Sequence, residues 1–167
     1  KNIDFMIDVI FQLKKKTKHF HMYFIGKGAH ESTFKKRVDE MKLDDVITFT
    51  GPVYDRNMLA AFYQTCDLLM FPSTYDTNGL VQIEAASQHT PGIFLKNTLA
   101  ASSIVDQYNG YLSEENPVLF SRKILDVMQH KEKHQEISNK AKETLYITWE
   151  EVVLKIETMY QTLIKES

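Results

Sequence analysis

Phe71-Pro72-Ser73-Thr74-Tyr75-Asp76-Thr77-Asn78-Gly79-Leu80-Val81-Gln82-Ile83-Glu84-Ala85-Ala86 is the stretch on which the reading of this chain turns. The apolar run Leu68-Leu69-Met70-Phe71 has strand character, and Pro72 to Gly79 reads as a polar turn. Leu80, Ile83 and Ala86/Ser87 then fall at helical spacing, which predicts a helix from Asn78 to Gln88. Asp76 lies in the turn and Glu84 within the helix, so both carboxylates are expected to face one cleft. The helix start at Asn78-Gly79-Leu80 offers free N–H groups and a positive dipole end, worth about 0.3–1 kcal/mol to a nearby anion. Carboxylate, anion cradle and carboxylate in this order suit a phosphorylated polyol.

Working outward, helical and strand patterns alternate. Ile3 to Lys18 reads as an amphipathic helix with Phe5, Met6, Val9, Ile10 and Leu13 on one face. A strand over His21–Ile25 is broken by Gly26-Lys27-Gly28, and a helix follows from Phe34 to Met41. Val46–Phe49 is a strand ending at Gly51-Pro52, and Asp55 is placed to cap a helix running to about Gln64. Asp67–Phe71, Gly92–Leu95 and a short segment after Asn109-Gly110 complete the strands, and from Pro117 the chain is helical, with breaks near His130 and Trp149. Such alternation predicts an α/β fold: a Rossmann-like parallel sheet with helices on both faces and a helical C-terminal tail. Ligands of such sheets bind outside the carboxyl ends of the strands, where the loops at Gly26–Gly28, Gly51–Tyr54 and Ser73–Gly79 converge.

The 167 residues suit a single domain. A net charge of −2 exerts no pull toward nucleic acid, and none is expected as a partner. Cys66 is the sole cysteine, so there is no disulfide framework, and a reducing, cytoplasmic compartment is expected. No apolar run approaches the ~18–20 residues of a membrane span. The chain opens at Lys1, inside what reads as a helix start, and is expected to be a piece of a longer protein.

The quoted stretch resembles the signature of the large family of retaining glycosyltransferases with the GT-B fold, the glycosyl transferases group 1 family. That signature runs approximately Pro-Ser-x-x-Glu-Gly-x-Gly-x-x-x-x-Glu-Ala-x-Ala-x-Gly-x-Pro. It stands here as Pro72-Ser73, Asp76-Thr77-Asn78-Gly79, Glu84-Ala85-Ala86 and Thr90-Pro91. The resemblance implies the C-terminal, donor-binding half of a GT-B enzyme, with the N-terminal acceptor domain and the first strand absent. It would move a hexose from a nucleotide diphosphate sugar, UDP-hexose by family frequency, to a hydroxyl acceptor. No cofactor beyond that donor and no metal is implied. Peripheral contact with the inner face of a membrane fits the family's roles in polysaccharide and glycolipid synthesis.

Residue by residue, the resemblance makes Asp76 the group that orients the donor sugar and supports positive charge at its ring. Lys1 would neutralise the diphosphate, with an upstream Arg as its usual companion. Glu84 would hold the ribose hydroxyls, and Thr77, Asn78, Gly79 and Leu80 would meet sugar or phosphate oxygens. Gly26 and Lys27 match the family's Gly-x-Gly loop near the donor, and Val53 and Tyr54 match the loop lining the base pocket. The bland readings are a helix cap for Asp76, a lysine ion pair for Glu84, a frayed terminus for Lys1, a tight turn at Gly26–Gly28 and a lid on the core for Tyr54.

The sequence departs from the pattern at several places. Asp76 stands where the family usually has Glu, Thr77 and His89 where it has Gly, and Lys96-Asn97-Thr98-Leu99 replaces a Gly-Gly-x-x-Glu loop. His130 and His134 have the spacing of a metal pair without a third ligand. Two other readings stay open: a non-catalytic nucleotide-sugar-binding or partner-stabilising domain, and a nucleotide-sugar epimerase or phosphorylase on the same architecture. The isolated chain is expected to bind nucleotide weakly and to transfer nothing.

Overall fold

The structure, a computed structural model, describes residues 1–77 and 79–165. The expected alternation is present, as α1 (Ile3–Lys14), β1 (Met22–Ile25), α2 (Glu31–Glu40), β2 (Ile47–Gly51), α3 (Arg56–Thr65), β3 (Leu69–Phe71), α4 (Leu80–Ser87) and β4 (Gly92–Leu95). A 3₁₀ turn (Leu99–Ala101), β5 (Tyr111–Ser113), α5 (Pro117–Gln129), α6 (Lys131–Leu145) and α7 (Trp149–Lys165) complete the chain. All pairings are parallel: β1 with β2, and β3-β4-β5 in that order, with Leu69 opposite Gly92 and Ile93 opposite Tyr111.

Strand alternation then decides the layers. Met70, Ile93, Leu95 and Tyr111 turn to one face, where they pack with Phe5, Met6 and Val9 of α1 and Phe120 and Val127 of α5. Leu69, Phe71, Phe94 and Leu112 turn to the other, against Val81 of α4 and Ala100, Ala101 and Ile104. Met22 and Phe24 of β1 join the first cluster, and α1 and α2 cover β1 and β2 through Ile7, Ile10 and Val38. Both faces of β3-β4-β5 are therefore covered, while β1 leaves Tyr23 and Ile25 exposed on one side, and parallel pairing gathers the carboxyl ends of β3, β4 and β5 at one edge.

Local chemistry sets the boundaries. The Asp55 side chain accepts from the Asn57 and Met58 amides, as its capping role requires. Asn116 caps α5 in the same way, with Pro117 in the first turn. α1 stops at Lys14 rather than Lys18, and α2 begins at Glu31 rather than Phe34. α4 differs in its inner face: Gln82, Ala85 and Ala86 are buried while Leu80 is 71% exposed. The small alanines allow close approach to the sheet, and Leu80, at the first helical position, stands clear of the core. Asn78, the expected start of this helix, lies outside the described residues. α4 ends with His89 at φ 62°, and the Thr90 amide bonds back to Ala85 O at 2.9 Å. This left-handed cap is the position for which glycine is favoured.

α6 is fastened to the sheet by a half-buried imidazole. His134 Nε2 donates to the Asp67 carbonyl at 2.9 Å, so Nδ1 accepts from the Tyr111 hydroxyl at 2.9 Å. Burial pushes its pKa down from the ordinary value. The unfolded chain therefore takes up this proton first, and stability present above about pH 6.5 is lost as pH falls through that value toward the lower folded one. Urea titrations of wild type and His134→Gln between pH 7.5 and 5 check this. The wild-type advantage is expected to shrink as pH falls; a pH-independent difference contradicts it.

Candidate functional site

The loop between β3 and α4 is organised by one buried hydroxyl. Ser73 is 1% exposed; its Oγ accepts from the Tyr75 and Asp76 amides at 3.4 and 3.3 Å and donates to the Asp76 carboxylate. The other carboxylate oxygen takes Lys1 Nζ at 2.7 Å. That ammonium also lies 4.7 Å from the Phe71 ring centroid, within cation–π range. The two residues expected to act on the reacting end of a donor are thus in contact. Among the described residues Asp76 accepts no amide of α4, whose N-cap is Gly79.

Lys1 first and Ser73 second hold the Asp76 carboxyl below the usual carboxylate range. At neutral pH it is an anion beside a cation, so it can support developing positive charge and cannot serve as a general acid. With side chains 53% and 29% exposed, the pair contributes about 0–1 kcal/mol to stability.

Glu84 has a separate set of partners. Tyr63 of α3 donates its hydroxyl to Glu84 Oε2 at 3.3 Å, and Arg56 Nη1 stands 3.6 Å from Oε1. The ion-pair partner is an arginine, not the lysine that the bland reading supposed. Burial, and then the negative charge of Glu84, push the Tyr63 phenol upward, so it stays a donor. Among the described residues no hydrogen bond links the Asp76 group to the Glu84 group.

The remaining candidates lie along the loops after β1 and β2. The Gly26 amide bonds to Gly51 O at 2.9 Å, tying these loops together; both glycines have positive φ, which other residues adopt at a cost. Lys27 lines a shallow depression with Gly28, Glu31 and Lys35. Val53 is half-buried, and Tyr54 is 88% exposed, which removes its reading as a lid on the core. Thr77 and Leu80 are exposed. Asn78 again falls outside the described residues.

Ser73, Tyr63 and Arg56 were not anticipated as site residues. Ser73 was visible within the Pro-Ser pair. Arg56 and Tyr63 carry only the signal that their helix precedes β3 and neighbours α4. Other marked positions are structural. Asn109, 4% exposed, bonds to Ser103 O, Thr144 Oγ1 and the Val105 amide. Lys96 pairs with Glu114 at 2.7 Å. His134 is engaged as above, and among the described residues no three His, Cys, Asp or Glu side chains gather as a metal site.

Carboxyl-carbon NMR titration tests the Asp76 assignment. Asp76 is expected to titrate below the ordinary aspartate value and to move up in Ser73→Ala and, further, in Lys1→Ala. An unchanged Asp76 in Lys1→Ala contradicts the pairing.

Comparison with known proteins follows this geometry. A family model described as glycosyl transferases group 1 matches residues 1–144. An uncharacterised glycosyltransferase of Methanocaldococcus jannaschii is 26% identical over 165 residues, covering 98% of this chain and 45% of that protein. A GDP-mannose-dependent alpha-(1-6)-phosphatidylinositol dimannoside mannosyltransferase of Mycobacterium tuberculosis is 21% identical over 90% of this chain and 38% of its own length. Among solved structures, a variant of S. aureus TarM in complex with fondaparinux, alpha-GlcNAc-glycerol and UDP superposes with TM-score 0.79. It is 25% identical, over 86% of this chain and 29% of that one. The chain spans less than half the length of each of these relatives.

Proposed function

The chain belongs to the glycosyl transferases group 1 family, and on that premise we propose that it is the C-terminal, donor-binding half of a retaining hexosyltransferase. The observation that carries the reading is the Lys1–Asp76 contact at the carboxyl end of β3, beside the uncapped start of α4. A cation and free helix amides meet the charge of a departing diphosphate. The Asp76 anion meets the positive charge that develops at the sugar ring as the bond from the anomeric carbon to the diphosphate breaks. The acceptor hydroxyl oxygen then bonds to that carbon from the same side and passes its proton to the departing phosphate oxygen. Glu84 accepts the two ribose hydroxyls, and Val53 and Tyr54 flank the base. Uridine is favoured by the UDP in the TarM complex; the mycobacterial relative, named for GDP-mannose, keeps guanine in the comparison.

The rest of the polypeptide is proposed to supply the acceptor domain and one further strand. Supporting the strand, β1 and β3 share a core through Met22, Phe24 and Met70 while, among the described residues, neither pairs with the other. Lys1 sits at the carboxyl end of β3, where a parallel strand leading into α1 would finish. Supporting the domain, α7 buries none of its side chains and exposes Trp149, Val153, Leu154, Ile156, Met159 and Tyr160. Among the described residues no helix is long and apolar enough to cross a membrane. Action on a lipid-linked acceptor, at the cytoplasmic face of a membrane, is in keeping with the phosphatidylinositol in the mycobacterial relative's name.

Thermal shifts of the full-length protein with UDP, GDP, ADP and their glucose conjugates test this. One diphosphate at 100 times its dissociation constant should add about 2.7 kcal/mol of stability, and Glu84→Ala, binding about tenfold more weakly, should cut the gain to about 1.4 kcal/mol. Asp76→Asn should cut hexosyl transfer at least ~100-fold while leaving nucleotide affinity within about threefold. Binding without transfer by the wild type would favour a non-catalytic donor-binding domain. No response to any nucleotide would contradict the donor site.

A further inference from the structure

Glu84 is approached from two sides by unequal partners. Oε2 meets the Tyr63 hydroxyl, on a half-buried ring, while Oε1 faces an Arg56 side chain that is 87% exposed. An exposed arginine at 3.6 Å holds a carboxylate weakly. Tyr63 is fixed differently. The buried Thr90 hydroxyl donates to the Tyr63 carbonyl, and the Cys66 amide bonds to the same oxygen at 3.3 Å. Thr90 follows directly on the left-handed cap of α4, so the helix carrying Glu84 and the helix carrying Tyr63 are clamped at that turn. A tyrosine on such a base has only two side-chain torsions, and its hydroxyl position is largely set by the backbone.

We propose that Tyr63 is a positioning residue that holds the Glu84 carboxylate in the orientation needed to accept two neighbouring hydroxyls, and so sets the site's preference for ribonucleotides over deoxyribonucleotides. The proposal rests on the donor-site reading above. An ionised carboxylate offers about four acceptor positions. Tyr63 takes one on Oε2, and the outward-facing positions remain for a vicinal diol. Without the phenol hydroxyl, Arg56 is the remaining hold on Glu84 and draws the carboxylate toward solvent. At 3.3 Å the contact is longer than an ordinary O–H···O bond, and catalytic hydrogen bonds are often long before the ligand binds.

The test is calorimetric binding of UDP and 2′-deoxy-UDP, run beside GDP and 2′-deoxy-GDP, to full-length wild type, Tyr63→Phe and Glu84→Ala. Wild type should prefer the ribonucleotide by at least about tenfold. Tyr63→Phe should bring that preference to within about threefold by weakening the ribonucleotide more than the deoxynucleotide, which keeps only the 3′ hydroxyl for Glu84. An unfolding midpoint in urea equal to that of wild type shows that the fold is intact, and Glu84→Ala should give the same collapse. If Tyr63→Phe keeps the preference, or weakens both nucleotides equally, the positioning role is overturned and the donor site stands. A wild type that binds both equally overturns the positioning role while the donor site stands, and one that binds no nucleotide overturns both together.

Discussion

The Phe71 ring is the constraint on which the site depends. It ends β3, lies against Phe94 with ring centroids 5.9 Å apart, and carries the Lys1 ammonium over its face. Gly79 closes the same contact from the far side of the loop: a Cβ there would fall 3.1 Å from the ring. The chain thus leaves Phe71 at the end of β3 and meets the same ring again at Gly79. Ser73, itself buried, fixes Asp76 within the loop. Lengthening the loop or enlarging Gly79 would move Asp76, the start of α4 and Glu84 together.

Around this hub the polar work is divided among three groups that, among the described residues, share no hydrogen bond. The charged pair belongs to the β3–α4 loop and the start of α1. The Tyr63–Glu84–Arg56 group belongs to the facing sides of α3 and α4. The Gly26–Gly51 bond joins the two loops that follow β1 and β2. A nucleotide diphosphate sugar is long enough to need all of these, with a base, a ribose, two phosphates and a ring in sequence. The scaffold keeps them in register because parallel strands end at a common edge.

The fold was legible because its signals are local. Strand and helix periods, the Asp55 cap and the Gly-Pro break after β2 each declare themselves within a few residues. The α4 inner face was read only in part: Ala86 is buried as its spacing implied, but Leu80 satisfies the same spacing and stands exposed, while Ala85 and Gln82 are buried. The site was legible only in part. Asp76, Glu84 and Lys1 stood out through their motif and through resemblance. Tyr63 and Arg56 did not, since their roles arise from α3 packing beside α4 across more than twenty residues of chain. A departure such as His89 acquires a physical meaning only when its left-handed φ is seen.

The central claim is that these separate groups form one donor site along the carboxyl edge. Amide chemical-shift mapping of the full-length protein during a UDP titration tests it most directly. The account predicts shifts confined to the neighbourhood of Lys1, Gly26 and Lys27, Val53 and Tyr54, Thr77 to Val81, and Glu84 with Tyr63. Shifts centred elsewhere, for example around Tyr111, Asp126 and His130 on the opposite flank of β5, would contradict it.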